Sequence, residues 1–161
     1  MVDAMLGRLA RWLRIIGYDA AFEAEIADEE LVRRAIQENR VLLSRDRALA
    51  DEWRVPRLLI VESESPLAQL RQVVTAFALD WHSRSFTRCS LCNATLEPIS
   101  PDAVAGRVPR RVQHGHRQFL VCPMCSRIYW EGSHIDRIRQ TLEESLGSAE
   151  SGRLVCDSEG V

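Results

Sequence analysis

In the first half of the chain, apolar positions alternate between two rhythms. Leu9, Trp12, Leu13 and Ile16 recur at helical spacing and form one stripe, which Gly17 ends. Arg8, Arg11 and Arg14 fall outside it, and Arg14 is expected to be a solvated surface residue. Met1 to Asp3 reads as the end of a strand, and Ala20 to Phe22 as a short one. Asp28 is placed to N-cap a helix carrying Leu31, Ala35 and Ile36, which Asn39 closes. A strand at Val41 to Ser44 and a short helix from Ala48 to Trp53 follow, then a strand at Leu58 to Val61. Ser65-Pro66 opens a further helix that runs to about Ala78. Strands alternating with helices over short connections predict an α/β fold, a three-layer sandwich with a parallel sheet. Such a fold places its site at the carboxyl ends of the strands.

The rhythm breaks at Trp81, His82, Ser83, Arg84 and Ser85, which predicts one domain over 1–82 and a second over 83–146. Val104, Val108, Val112 and the run Phe119 to Val121 are expected to form strands of a small β-rich unit. A terminal helix opens at Ser133 with Asp136 three residues on, the spacing of a capping box. From Gly147 the composition turns to Gly, Ser and acid, and a frayed tail over 147–161 is expected, with Cys156 a bystander within it.

No apolar run approaches the roughly 18 residues of a membrane span, and MVDAMLGRLA has an acid where a signal peptide carries positive charge. A cytoplasmic protein with no membrane partner is expected. A net charge of -2 excludes a strongly basic nucleic-acid coat, although residues 85–146 carry eight Arg against six acids. All 21 basic residues are arginine, which a GC-rich coding sequence explains more simply than phosphate binding does.

Four of the five cysteines form two C-x-x-C pairs, Cys89 and Cys92 in TRCSLCN and Cys122 and Cys125 in VCPMCS. Two such turns supply four thiolates to one tetrahedral zinc, and a site with four protein ligands is closed, so the zinc is structural. A redox pair is the rival reading, but the thioredoxin-type motif belongs at a helix start in a βαβ unit. His114 and His116 read as a solvated loop, since four thiolates already complete the site.

Asp3, Asp28 and Asp46 each lie where a strand ends or a helix begins. Parallel topology can bring them to one sheet edge, where a hard divalent ion, Mg²⁺ or Mn²⁺, would relieve their repulsion. Individually each also reads as a cap or a surface residue. Arg45 and Arg47 flank Asp46, and Arg8 and Arg11 extend the track, so these four are candidate phosphate holders. Trp81, Phe86 and Trp130 could stack bases, against a plainer role in packing.

VDAMLGRLARWLRIIGYDA, ADEELVRRAIQENRVLLSRDRALA, FTRCSLCNATLEPI and FLVCPMCSRIYWEGSH together resemble the Mut-seven C-terminal RNase domain family. That resemblance covers the chain to about residue 143 and implies a PIN-like nuclease domain joined to a zinc ribbon. It implies a metal-dependent ribonuclease acting on RNA, with catalytic Mg²⁺ or Mn²⁺ and no small organic cofactor. The family's motif acids fall on Asp3, on Asp28 and on Asp46, where Ser44 stands in place of the usual threonine. Only two residues precede Asp3, so a nearly absent first strand is expected, and Asp51 is the nominee for a further acid. A nonenzymatic nucleic-acid- or protein-binding adaptor, and a redox protein, are the competing classes.

Overall fold

The computed structural model describes residues 1–147, and the tail expected beyond Gly147, with Cys156, lies outside them. A 3-10 turn, Ala4–Leu6, runs into helix α1, Gly7–Ile15. Then come α2 (Asp28–Gln37), β1 (Leu42–Ser44), α3 (Ala48–Glu52), β2 (Leu58–Ile60) and α4 (Pro66–Phe77). The second half holds β3 (Glu97–Ile99), α5 (Arg110–Gly115), β4 (Phe119–Val121), β5 (Ile128–Trp130) and α6 (Ser133–Leu146). No described helix is long and apolar enough to cross a membrane.

Strands β1 and β2 pair in parallel, with Leu43 opposite Leu59. Val2 forms parallel rungs to Phe22 on one side and to Leu43 on the other, so the first strand survives as a single rung inside the sheet. Alternate side chains of a strand point to opposite faces, and the core divides accordingly. Val2, Leu43 and Val61 pack with Leu9, Leu13, Leu70 and Val73 of α1 and α4, whereas Leu42 packs with Leu31, Val32 and Ala35 of α2 and Leu49 of α3. Each such leucine, fully buried, contributes about 1.5–3 kcal/mol.

Strands β3, β4 and β5 form an antiparallel sheet in that order, with β5 at an edge. Val104 and Val108 are not in strands: residues 101–107 form turns and Val112 lies in α5. From those turns and that short helix they pack with Phe119 in a small core. Helix α6 starts against this sheet, yet Leu142 and Leu146 are buried in the α1 and α4 core.

Two helix starts differ from the expectation. Ala27, not Asp28, is the N-cap of α2, and Asp28 is its first helical residue, followed by Glu29 and Glu30 in a turn whose charge suits the helix dipole. Gly132, not Ser133, is the N-cap of α6; having no side chain it offers only its carbonyl, which accepts from the N–H of Ile135 at 2.7 Å and of Asp136 at 3.3 Å. A Cβ at Gly132 would sit 3.3 Å from the Trp130 indole nitrogen, so the tight return after β5 favours glycine there.

Candidate functional site

The two cysteine pairs fold as near copies of one turn. The N–H of Asn93 donates to the Cys89 carbonyl at 3.0 Å, and the N–H of Ser126 donates to the Cys122 carbonyl at 2.9 Å. The N–H of Cys89 and of Cys122 then close the loops onto Ala94 and Arg127 at 2.8 and 2.9 Å. Asn93 (φ 69°) and Ser126 (φ 58°) occupy the same left-handed position, which asparagine tolerates better than serine. All four sulfurs lie within 4.8 Å of one another, with Cys89 to Cys125 at 3.6 Å and Cys92 to Cys122 at 3.2 Å. Zinc bonded to sulfur at about 2.3 Å in a tetrahedron needs sulfurs about 3.8 Å apart, so the four thiols could hold a zinc ion. Burial pushes the Cys89 thiol up, but the N–H of Cys92, the Tyr129 hydroxyl and the N–H of Leu91 hold it down at about 6. Burial, aided by Cys89, raises Tyr129 to about 12.

The first cysteine turn is pinned to the α/β unit by charge and by backbone. Arg14 is 6% exposed, against the solvated position expected from its place off the apolar stripe. Its guanidinium donates to the carbonyls of Ala20 and of Leu91, the latter between the first two cysteines. Burial lowers its hold on its proton, an effect that Cys89, Cys92 and Asp19 oppose. Asn93 donates to Asp19 at 2.7 Å and accepts from the N–H of Ala20 at 3.2 Å, while Asp19 pairs with Arg40 at 3.0 Å. The segment between the units is docked as well, with the N–H of Phe86 donating to Ile15 at 2.7 Å. Trp81 packs into the main core and stacks on His82.

The acids arise from the sheet order. Numbered along the chain, the parallel rungs lie side by side as second, first, third, fourth: Phe22, Val2, Leu43 and then β2. The chain thus leaves the first strand on one side and returns on the other, and doubly wound sheets take ligands at the carboxyl ends of such a switch point. Asp3 follows Val2, and Ser44 and Asp46 follow Leu43, on either side of it.

Asp3 is 6% exposed, and its Oδ2 accepts from the Ser44 hydroxyl at 2.5 Å. The same hydroxyl oxygen accepts from the N–H of Asp46 at 2.9 Å, so one fully buried serine joins the two strand ends. Asp46 is half-buried and its Oδ1 accepts from the N–H of Ala48 at 2.8 Å. Asp28 is exposed at the start of α2, and Asp51 is exposed in α3. Among the described residues, only the four cysteines gather three or more metal-ligating groups within 4.8 Å; the acids Asp3, Asp28 and Asp46 do not.

Arg45 pairs with Glu64 at 3.1 Å and Arg47 with Glu62 at 3.7 Å, both acids standing just past β2. Exposed pairs of this kind are worth at most about 1 kcal/mol. Arg8 and Arg11 are exposed on α1. Glu62 and Glu64 escape the sequence reading, although ESES directly after an apolar strand is the signal that strand-end logic would have used.

The Mut7-C RNAse domain family model matches residues 1–142. No curated protein and no solved structure matches the chain.

Proposed function

The chain belongs to the Mut7-C RNAse domain family, and on that premise we propose that it is a metal-dependent ribonuclease with a PIN-like three-layer α/β domain over 1–82 and a zinc ribbon over 83–146. The single observation that carries the proposal is Ser44, whose hydroxyl holds Asp3 and the Asp46 backbone at the switch point of the sheet. Asp3 also caps the 3-10 turn, accepting from the N–H of Met5 at 3.4 Å, and Asp46 accepts from that of Ala48, but Ser44 adds a buried link between the two strand ends beyond this capping.

The donor set is all oxygen, which suits Mg²⁺ or Mn²⁺. Asp3, Asp46 and Asp28 are the residues that would hold it, with Asp28 contributed from the start of α2. Such an ion, when bound, lowers the pKa of a coordinated water and offsets charge on phosphate oxygens. The chain's own part is to position. Ser44 fixes the direction of the Asp3 carboxylate, the N–H of Ala48 fixes that of Asp46, and Arg45 and Arg47 turn from Glu64 and Glu62 to orient a phosphodiester. Cys89, Cys92, Cys122 and Cys125 would hold zinc, which with four thiolate ligands has no open position and would serve to hold the ribbon together rather than to take part in the chemistry.

The test is a panel of end-labelled single-stranded, structured and duplex RNAs incubated with each ion. The proposal expects cleavage that needs Mg²⁺ or Mn²⁺ and is lost in Asp46→Asn while zinc content and melting temperature hold. A protein that binds the RNAs and never cuts them with either ion is the adaptor instead.

A further inference from the structure

Three adjoining cavities, of about 630, 480 and 390 Å³, surround the edge strand β5, and Ile128 and Trp130 line all of them. The second also takes its wall from α1 and α6, so it lies between the α/β unit and the ribbon. Their rims carry Arg11, Arg88, Arg107, Arg111, Arg127 and Arg139 and a single acid, Glu131. Glu131 is paired with Arg139, and Arg139 also lies over the Phe86 ring at 5.5 Å. Arg11, Arg111 and Arg127 are exposed and form no ion pair with any described residue. A chain with a net charge of -2 thus keeps a strongly positive cleft with aromatic walls at one place.

We propose that these cavities form a track for single-stranded RNA, in which a base stacks on Trp130 and Arg11, Arg111 and Arg127 hold phosphates. The choice of RNA rests on the ribonuclease reading. The argument for a single strand is chemical: Trp130 and Tyr129 are half-buried in the cavity walls, where only an unstacked base can reach a π-face, and every base has one. A duplex offers phosphates to the rim but nothing to the wall. Arg11 places the track beside the domain that carries the acids, since it lies on the helix that follows Asp3, on the order of 12 Å along it.

The test measures binding of a fluorescent single-stranded oligoribonucleotide and a duplex of the same length to the full, zinc-loaded chain, in the Asp46→Asn background so that nothing is cut. Arg111→Ala with Arg127→Ala is expected to weaken single-strand binding about tenfold and to lower the slope of log affinity against log salt by about 1.4. Trp130→Ala is expected to weaken it by a similar factor while duplex binding stays unchanged. Trp130 also packs the ribbon core, so the exposed arginine pair decides if that variant does not fold. Unchanged affinity and slope in the arginine pair overturn the track, as does displacement of the RNA by poly-glutamate at equal charge. RNA that is bound through these arginines but never cut by the unmutated chain overturns the ribonuclease reading and supports the track.

Discussion

Ser44 carries two duties on one oxygen, donating to Asp3 and accepting from the Asp46 N–H, at a position with no solvent access. Ser44→Ala leaves a buried carboxylate oxygen and a backbone N–H without partners, which costs about 1–3 kcal/mol. Losing a residue that only orients ligands also lowers metal affinity or activity about 10–100-fold. Ser44→Thr keeps the hydroxyl and is expected to hold both quantities near those of the parent in melting and cleavage assays. At Arg14 the expected loss is structural. Arg14→Leu strands the carbonyls of Ala20 and Leu91 and lowers stability by about 3 kcal/mol, and Arg14→Lys does not restore it, because an ammonium cannot span two carbonyls as a guanidinium fork does. Both fall outside what a sequence reveals. Ser44 was visible as part of a motif but not as a bridge, and Arg14 sits off the apolar stripe while its partner lies 77 residues away.

At the scale of elements, the cysteine turns show which patterns are legible. C-x-x-C spacing dictates the turn itself, and Asn93 announces its left-handed residue; Ser126 occupies the equivalent place against its own preference. Ser126→Asn is therefore expected to stabilise the ribbon by about 0.5–1 kcal/mol, read as a rise in melting temperature of the zinc-loaded protein. Gly17 works in the opposite direction. Its φ of 88° is left-handed, and a Cβ there would meet the Arg84 carbonyl oxygen at 2.0 Å, so the close approach of the inter-unit segment to the end of α1 requires glycine at this position. The helices and strands of the first half were legible because their apolar periods are long and their ends carry Gly17, Asn39 and Ser65-Pro66. The valines at 104, 108 and 112 were not. They serve a small core by packing from turns and one short helix, and hydrophobic residues at that spacing do not by themselves separate a strand from a turn.

Across the whole molecule, the cysteine cluster and Asp3 are linked through the junction. The Ala20 backbone bonds to Arg14 and Asn93, and the next residue, Ala21, accepts from the N–H of Val2 at 2.9 Å, one residue from Asp3. Chelating the zinc is expected to lower the melting temperature of both units in one transition, since the first cysteine turn anchors α1 as well as the ribbon. Asp19 makes the same junction sensitive to acid. Burial pushes its carboxyl up, but hydrogen bonds from Arg40 and Asn93 hold it below its ordinary value of 3.8. The unfolded chain then takes up a proton that the folded chain resists, so this stability is complete above pH 3.8 and is lost as pH falls through the lower folded value. Asp19→Asn is expected to flatten that acid limb in melting curves taken from neutral pH down to roughly 3. The parallel order and the cysteine set were readable in advance, yet the gathering of the acids was only partly so: Asp3 and Asp46 meet through Ser44, and Asp28 stands apart on α2.

The central claim is that the strand ends at the switch point bind the divalent ion. Counting Mn²⁺ bound to the zinc-loaded chain by electron paramagnetic resonance tests it without recourse to any RNA. The account predicts specific Mn²⁺ binding that is lost in both Asp3→Asn and Asp46→Asn with zinc retained; Mn²⁺ binding that neither substitution changes would contradict it.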